Sequence, residues 1–113
     1  MIRVLVADDS PLIRLVLSQI LTTDEGFDIV STVSDGDEAV EAVARLRPDV
    51  VTLDLAMPRM DGLAALYEIM RTSPTPTVLV SSHTRAGARS AIKAIEGGAV
   101  GFVGKPDSST ESV

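Results

Sequence analysis

Two patterns of apolar residues alternate along this chain. Near-continuous aliphatic and β-branched runs occupy Ile2–Ala7, Asp28–Val33, Val50–Asp54, Thr77–Ser82 and Val100–Gly104. Runs of that length and composition predict strands buried on both faces. Between them apolar residues recur at helical spacing. Ser10 is suited to cap a helix that starts on Pro11, with Leu12, Ile13, Val16, Leu17, Ile20 and Leu21 on one face. A second helix is predicted from Gly36, with Ala39, Val40, Val43, Ala44 and Leu46 facing inward and Pro48 as the stop. A third carries Leu63, Leu66, Ile69 and Met70. A fourth has a thin stripe of Ala91, Ile92 and Ile95 ended by Gly97-Gly98, and the polar stretch before it, Ser81 to Arg89, reads as a loop. Strands alternating with helices predict a doubly wound α/β fold: a five-stranded parallel sheet with helices on both faces.

Size and composition narrow the possibilities. At 113 residues and 45% hydrophobic, the chain fits one domain with a core of its own. The absence of cysteine removes disulfide scaffolds, thiol nucleophiles and Cys-ligated zinc, and suits a reducing cytoplasm. No apolar run approaches the ~20 residues that cross a bilayer, so a soluble, cytoplasmic protein without membrane insertion is expected. Ten Lys and Arg against sixteen Asp and Glu give a net charge of −6. The basic residues are scattered and the aromatics are only Phe27, Tyr67 and Phe102, so direct nucleic-acid binding is not expected.

In open α/β sheets ligands bind at the carboxyl ends of the strands. Here those ends carry Asp8 and Asp9 after the first strand, Asp54 after the third, Ser81 and Ser82 after the fourth, and Lys105 after the fifth. Three carboxylates in one crevice repel one another unless a divalent cation neutralises them, and an all-oxygen donor set suits Mg²⁺. Lys105 and the Ser81 hydroxyl would add donors for phosphoryl oxygens. Asp54 ends an apolar central strand, so its backbone is anchored while its carboxylate faces the crevice. It is the best-placed nucleophile for an aspartyl phosphate. The plainer role of an aspartate at such a position is to cap the following helix.

Taken together, these residues resemble the receiver domains of two-component response regulators, over Ile2 to Pro106. The motifs are the acidic pair in Val6-Ala7-Asp8-Asp9-Ser10, the stretch Leu53-Asp54-Leu55-Ala56-Met57-Pro58 followed by Met60-Asp61-Gly62, the hydroxyl after Val78-Leu79-Val80, and Lys105-Pro106. The resemblance implies a flavodoxin-like sheet of order 2-1-3-4-5. It also implies phosphorylation of Asp54 by a histidine kinase. Asp9, Asp54 and the backbone carbonyl of Ala56 would ligate Mg²⁺ directly, with Asp8 acting mainly through water. Ser81 and Lys105 would hold the phosphoryl oxygens, and Ser81 would be coupled to inward rotation of Phe102, a residue whose plainer role is packing. Ala56 and His83 would flank the path of attacking water and set the lifetime of the phosphorylated state, and the Lys105-Pro106 bond is often cis in the family. Gly104, smaller than the usual residue there, is expected to loosen the lysine.

Within the family, Met57 to Leu63, Pro74 to Ser82 and Gly98 to Val103 look most like the regulatory domain of a chemotaxis protein-glutamate methylesterase. No Gly-x-Ser-x-Gly elbow is present, so the switch chemistry alone, without methylesterase activity, is expected of this chain. The organisation expected is a receiver domain over residues 1–106 and a polar tail or linker stub over 107–113. A final helix that would cover one sheet face is not visible, and the chain looks cut short. Half of the surface with which receivers dimerise or engage an output domain, formed by the fourth helix, fifth strand and fifth helix, would then be absent. Oligomeric state is left open, and the uncovered apolar face would invite a partner. Competing readings are a receiver-like binding module independent of phosphorylation, an aspartate-dependent phosphatase, which would place a second acid at Ala56, and a nucleotide or flavin site. The last is opposed by the acidic first turn Asp8-Asp9-Ser10-Pro11 and by the lack of a glycine-rich phosphate loop.

Overall fold

The computed structural model describes residues 1–81 and 85–105, with side chains except at 81 and 85–88. Five strands, β1 (Ile2–Ala7), β2 (Phe27–Val33), β3 (Val50–Asp54), β4 (Thr77–Ser81) and β5 (Gly101–Gly104), alternate with α1 (Pro11–Thr22), α2 (Gly36–Leu46), α3 (Gly62–Thr72) and α4 (Arg85–Glu96). All pairings are parallel and the sheet order is β2-β1-β3-β4-β5. The order reverses after β2. Because parallel crossovers are right-handed, α1 lies on one face of the sheet and α2, α3 and α4 on the other. The reversal opens a crevice at the carboxyl ends of β1 and β3.

The main core lies under α2, α3 and α4. It is built by Leu5, Ala7, Val51, Leu53 and Leu79 from the strands and by Ala39, Val43, Ala65, Leu66 and Ile69 from the helices. Caps fix where the helices begin. The Ser10 hydroxyl accepts from the Ile13 amide at 3.3 Å, and Asp35 and Asp61 accept from the Glu38 and Ala64 amides at 2.8 Å each.

Several expectations require correction. The α4 helix begins at Arg85, inside the stretch expected to be a loop. Its first turn, Arg-Ala-Gly-Ala, has no apolar stripe to read, yet Arg and Ala favour helix intrinsically. Ala91 and Ala94 face the core while Ile92 and Ile95 point outward. In α2 it is Ala42, not Ala44, that is buried. No residue of α1 is fully buried, and Leu12 and Ile20 are exposed. The reason is coverage: α1 packs mainly on β1 and β2, and among the described residues no helix covers that face over β5, where Val103 is half exposed. The expected end of β4 at Ser82 and the tail 107–113 lie outside the described residues.

Candidate functional site

The crevice assembles as the strand ends predict. Residues 4–7 of β1 pair with residues 50–53 of β3, and the next residues, Asp8 and Asp54, emerge side by side at the carboxyl edge. Asp8 and Asp54 are buried at 1% and 2% exposure, whereas Asp9 is exposed. Carboxylate oxygens of all three lie within 4.8 Å of one another. The Lys105 ammonium, carried in from the end of β5, stands 3.1 Å from Oδ2 of Asp8 and 3.1 Å from Oδ2 of Asp54. Gly104 stands beside it, and the lysine side chain is largely buried between the two acids. Ala56 is exposed two residues after Asp54, and its amide donates to Asp54 Oδ1 at 3.2 Å. Ser81 ends β4 in register with Gly104, which brings its backbone to the same rim. The side chain of Ser81, together with Ser82, His83 and Pro106, lies outside the described residues.

The electrostatics are unbalanced in a telling way. Burial and the neighbouring charge of Asp8 push Asp54 up to about 6, against the opposing pull of Lys105 and the Ala56 amide. Burial alone would lower Lys105, but the carboxylates of Asp54 and Asp8 beside it more than offset that and leave it above the ordinary lysine value. Lys105 makes an aligned hydrogen bond to Asp8 Oδ1 at 3.3 Å. The buried Oδ2 atoms of Asp8 and Asp54 have no aligned donor and are matched by charge only. Two buried carboxylate oxygens that share one ammonium, with Asp9 beside them, form a hard-oxygen donor set of the kind a small divalent cation takes.

Sequence reasoning missed one contributor. Arg14, one turn into α1, donates from Nη1 to the Asp8 backbone carbonyl at 2.7 Å, while Asp8 Oδ1 accepts from the Ser10 amide at 2.9 Å. Together they lock the turn that carries both acids. The available signal was an arginine among the apolar positions of α1, six residues after Asp8. Phe102, expected as a switch residue, is half exposed and lies outside the crevice, lining a hollow with Ala91, Ile92, Ile95 and Glu96 of α4.

Comparison with known proteins decides the family. A family model for the response regulator receiver domain matches residues 4–112. The chain belongs to that family. It is 54% identical over 108 residues to a protein-glutamate methylesterase/protein-glutamine glutaminase of Symbiobacterium thermophilum, covering 96% of this chain and 30% of that protein. The receiver thus spans about 30% of the length of the curated relatives it matches. Among solved structures it resembles the response regulator domain of Thermotoga maritima CheB, with a TM-score of 0.88, 45% identity, and coverage of 94% of this chain and 79% of that one. It also resembles a chain of the CheX–CheY–BeF3–Mg²⁺ complex of Borrelia burgdorferi, with a TM-score of 0.83, 33% identity, and coverage of 98% of this chain and 83% of that one. The flavodoxin-like order inferred from the resemblance is the order observed.

Proposed function

We propose that this receiver is a phosphorylation-controlled switch that accepts a phosphoryl group on Asp54 from the phosphohistidine of a histidine kinase. The observation that supports the reading is the convergence of Asp54, Asp8, Asp9 and Lys105 at one crevice, where a single ammonium faces three carboxylates. Mg²⁺ fits this donor set: Asp9, Asp54 and the carbonyl of Ala56 would hold it directly and Asp8 through water. When bound, the cation neutralises the acids and the incoming phosphoryl charge.

The chain's own residues do the rest. An oxygen of Asp54 forms the new P–O bond in line as the P–N bond of the phosphoimidazole breaks. The imidazole leaves with the electron pair and takes a proton from solvent. Burial keeps bulk water off the acceptor, and β3 holds its backbone still. Lys105, released from Asp54 as the carboxylate becomes an acyl phosphate, is within reach of a phosphoryl oxygen, with the Ser81 hydroxyl as a second donor. Ala56 and His83 would set access of hydrolytic water.

The output would be read at the α4–β5 surface. There Ala91, Ile92, Ile95, Glu96 and Phe102 line a hollow of about 450 Å³, and rotation of Phe102 would remodel it. The likeness to methylesterase regulatory domains supports a switch in chemotaxis signalling in the cytoplasm, governing an output domain or partner. Residues 1–106 would be its phosphoacceptor unit and 107–113 a polar tail or linker stub. Among the described residues no helix is long and apolar enough to cross a membrane.

The test is intact mass spectrometry after incubation with acetyl phosphate and Mg²⁺. A single phosphoryl adduct that requires the metal and disappears in Asp54→Ala is expected. A folded, Mg²⁺-binding protein that forms no adduct would overturn the switch and leave the phosphorylation-independent binding module.

A further inference from the structure

Both helices that follow the crevice's neighbouring strands begin with the same dipeptide, Asp35-Gly36 for α2 and Asp61-Gly62 for α3. Each aspartate caps its helix, which explains the acids but not the glycines. Neither glycine has the positive φ that would demand one; among the described glycines only Gly98 does. What both require is room. A Cβ on Gly62 would lie 2.0 Å from the carbonyl oxygen of Asp54, and a Cβ on Gly36 would lie 2.0 Å from the carbonyl oxygen of Met60. Real Cβ atoms do not approach backbone that closely, so in each case the loop would have to move.

The two contacts are nested. The β3–α3 loop leaves Asp54, passes Ala56, and folds back so that Gly62 sits against the Asp54 carbonyl, with the Gly62 amide donating to Leu55 O at 2.9 Å. The outside of that loop, at Met60, rests on Gly36 at the start of α2. A second tie lies alongside: Nε of Arg59, a residue held at a φ of 65°, stands 3.7 Å from Oδ2 of the nearly buried Asp35. The β2–α2 junction contributes no group to the crevice, yet it is the wall against which the loop bearing Ala56 is pressed.

We propose that Gly36 is a positioning residue for the cation site: by letting α2 start in contact with the Met60 carbonyl, it fixes the β3–α3 loop and so the placement of the Ala56 and Asp54 oxygens. The inference rests on the reading of the crevice as a Mg²⁺ site. A metal with strict octahedral geometry is sensitive to such placement, and groups behind the direct ligands commonly matter tenfold or more in affinity.

The experiment is isothermal titration of the 113-residue chain with MgCl2, comparing the parent, Gly36→Ala and Val43→Ala. Val43 is a buried α2 residue of the main core, seven residues along the helix from Gly36; its truncation weakens the fold and leaves the start of α2 unaltered. Gly36→Ala is expected to raise the Mg²⁺ dissociation constant about tenfold. The amide resonances of residues 54–62 should shift with it, while Val43→Ala stays within about twofold of the parent. If Gly36→Ala does not fold, Met60→Gly, which frees the same stretch of backbone, is expected to weaken Mg²⁺ binding in the same direction. A folded Gly36→Ala, or failing that Met60→Gly, with the parent's affinity overturns the proposal, as does a Val43→Ala protein weakened equally. A parent that does not bind Mg²⁺ at all overturns the underlying reading of the site instead.

Discussion

Replacing Asp54, the proposed phosphoacceptor, by its neutral isostere should stabilise the metal-free protein. Asp54 is held at about 6 in the fold against an ordinary 3.8, first because it is buried and then because Asp8 stands beside it. At 1.36 kcal/mol for each pH unit, the fold holds the ionised carboxylate at a disadvantage of about 3 kcal/mol. The carboxamide introduced by Asp54→Asn keeps an acceptor for the Ala56 amide and removes the like charge. The substitution should therefore recover much of that, about 2 kcal/mol, or a rise in Tm of roughly 8 °C for a domain of this size. The direction with pH is fixed. A carboxyl whose folded value is raised favours the fold when protonated, so the parent's deficit is absent below about pH 4, grows as pH rises toward 6, and is complete above it. Thermal denaturation in chelator at pH 4, 5, 6 and 7.5 should therefore show the two proteins diverging across that window. Saturating Mg²⁺ should close the gap at pH 7.5 by stabilising the parent, since a ligand at 100 times its dissociation constant contributes about 2.7 kcal/mol. An Asp54→Asn protein no more stable than the parent at pH 7.5, or equally advantaged at pH 4, would refute the electrostatic account.

The same titration governs the cation. Mg²⁺ affinity measured by calorimetry should fall as pH drops below about 6, because Asp54 must give up its proton to bind. Lys105→Met should leave Mg²⁺ affinity equal or tighter, since a competing cation 3.1 Å from each acid is removed, while formation of the phosphoryl adduct slows by an order of magnitude or more, on the scale of losing one charge-stabilising donor. Arg14→Ala should cost about 1–3 kcal/mol in urea denaturation, the penalty of a buried carbonyl that loses a charged donor, and should weaken Mg²⁺ binding in the same titration.

The sheet and the site were legible in the sequence to different depths. Strand runs and the acids at their ends are read from composition alone, because a buried parallel strand must be apolar until it reaches the crevice, and a polar residue there has few other uses. Asp8, Asp54 and Lys105 meet for that reason. The helix faces were less legible. Periodicity registers which residues are apolar but not which are covered, so Ile92 and Ile95 read as core although the smaller Ala91 and Ala94 bring α4 down onto the sheet. The start of α4 at Arg85 was invisible because its first turn follows intrinsic propensity, with no stripe to mark it. Arg14 was overlooked because its contact is with a backbone carbonyl, which no side-chain pattern records. Gly36 was legible as a helix start, but the reason for a glycine there exists only in three dimensions, where Met60 arrives from another loop.

The charge imbalance at the crevice gives the proposed switch a physical reason to respond to so small a ligand. Every neighbouring contact restrains the acids without neutralising them: Ser10 and Arg14 fix the Asp8 turn, Ala56 orients one oxygen of Asp54, and Lys105 supplies one positive charge among three carboxylates. A perfectly compensated cluster would be more stable and would gain nothing from a cation. Because the deficit is local and buried, neutralisation acts at full strength on the strand ends that hold it, β1, β3 and β5. Of these, β5 carries Lys105 at its end and Phe102 within it, three residues apart along four residues of strand. A shift of Lys105 from Asp54 to a phosphoryl oxygen therefore has a short mechanical path to the α4–β5 surface. Phe102, half exposed at the edge of the hollow it lines with α4, is the residue through which the proposed switch would reach that surface.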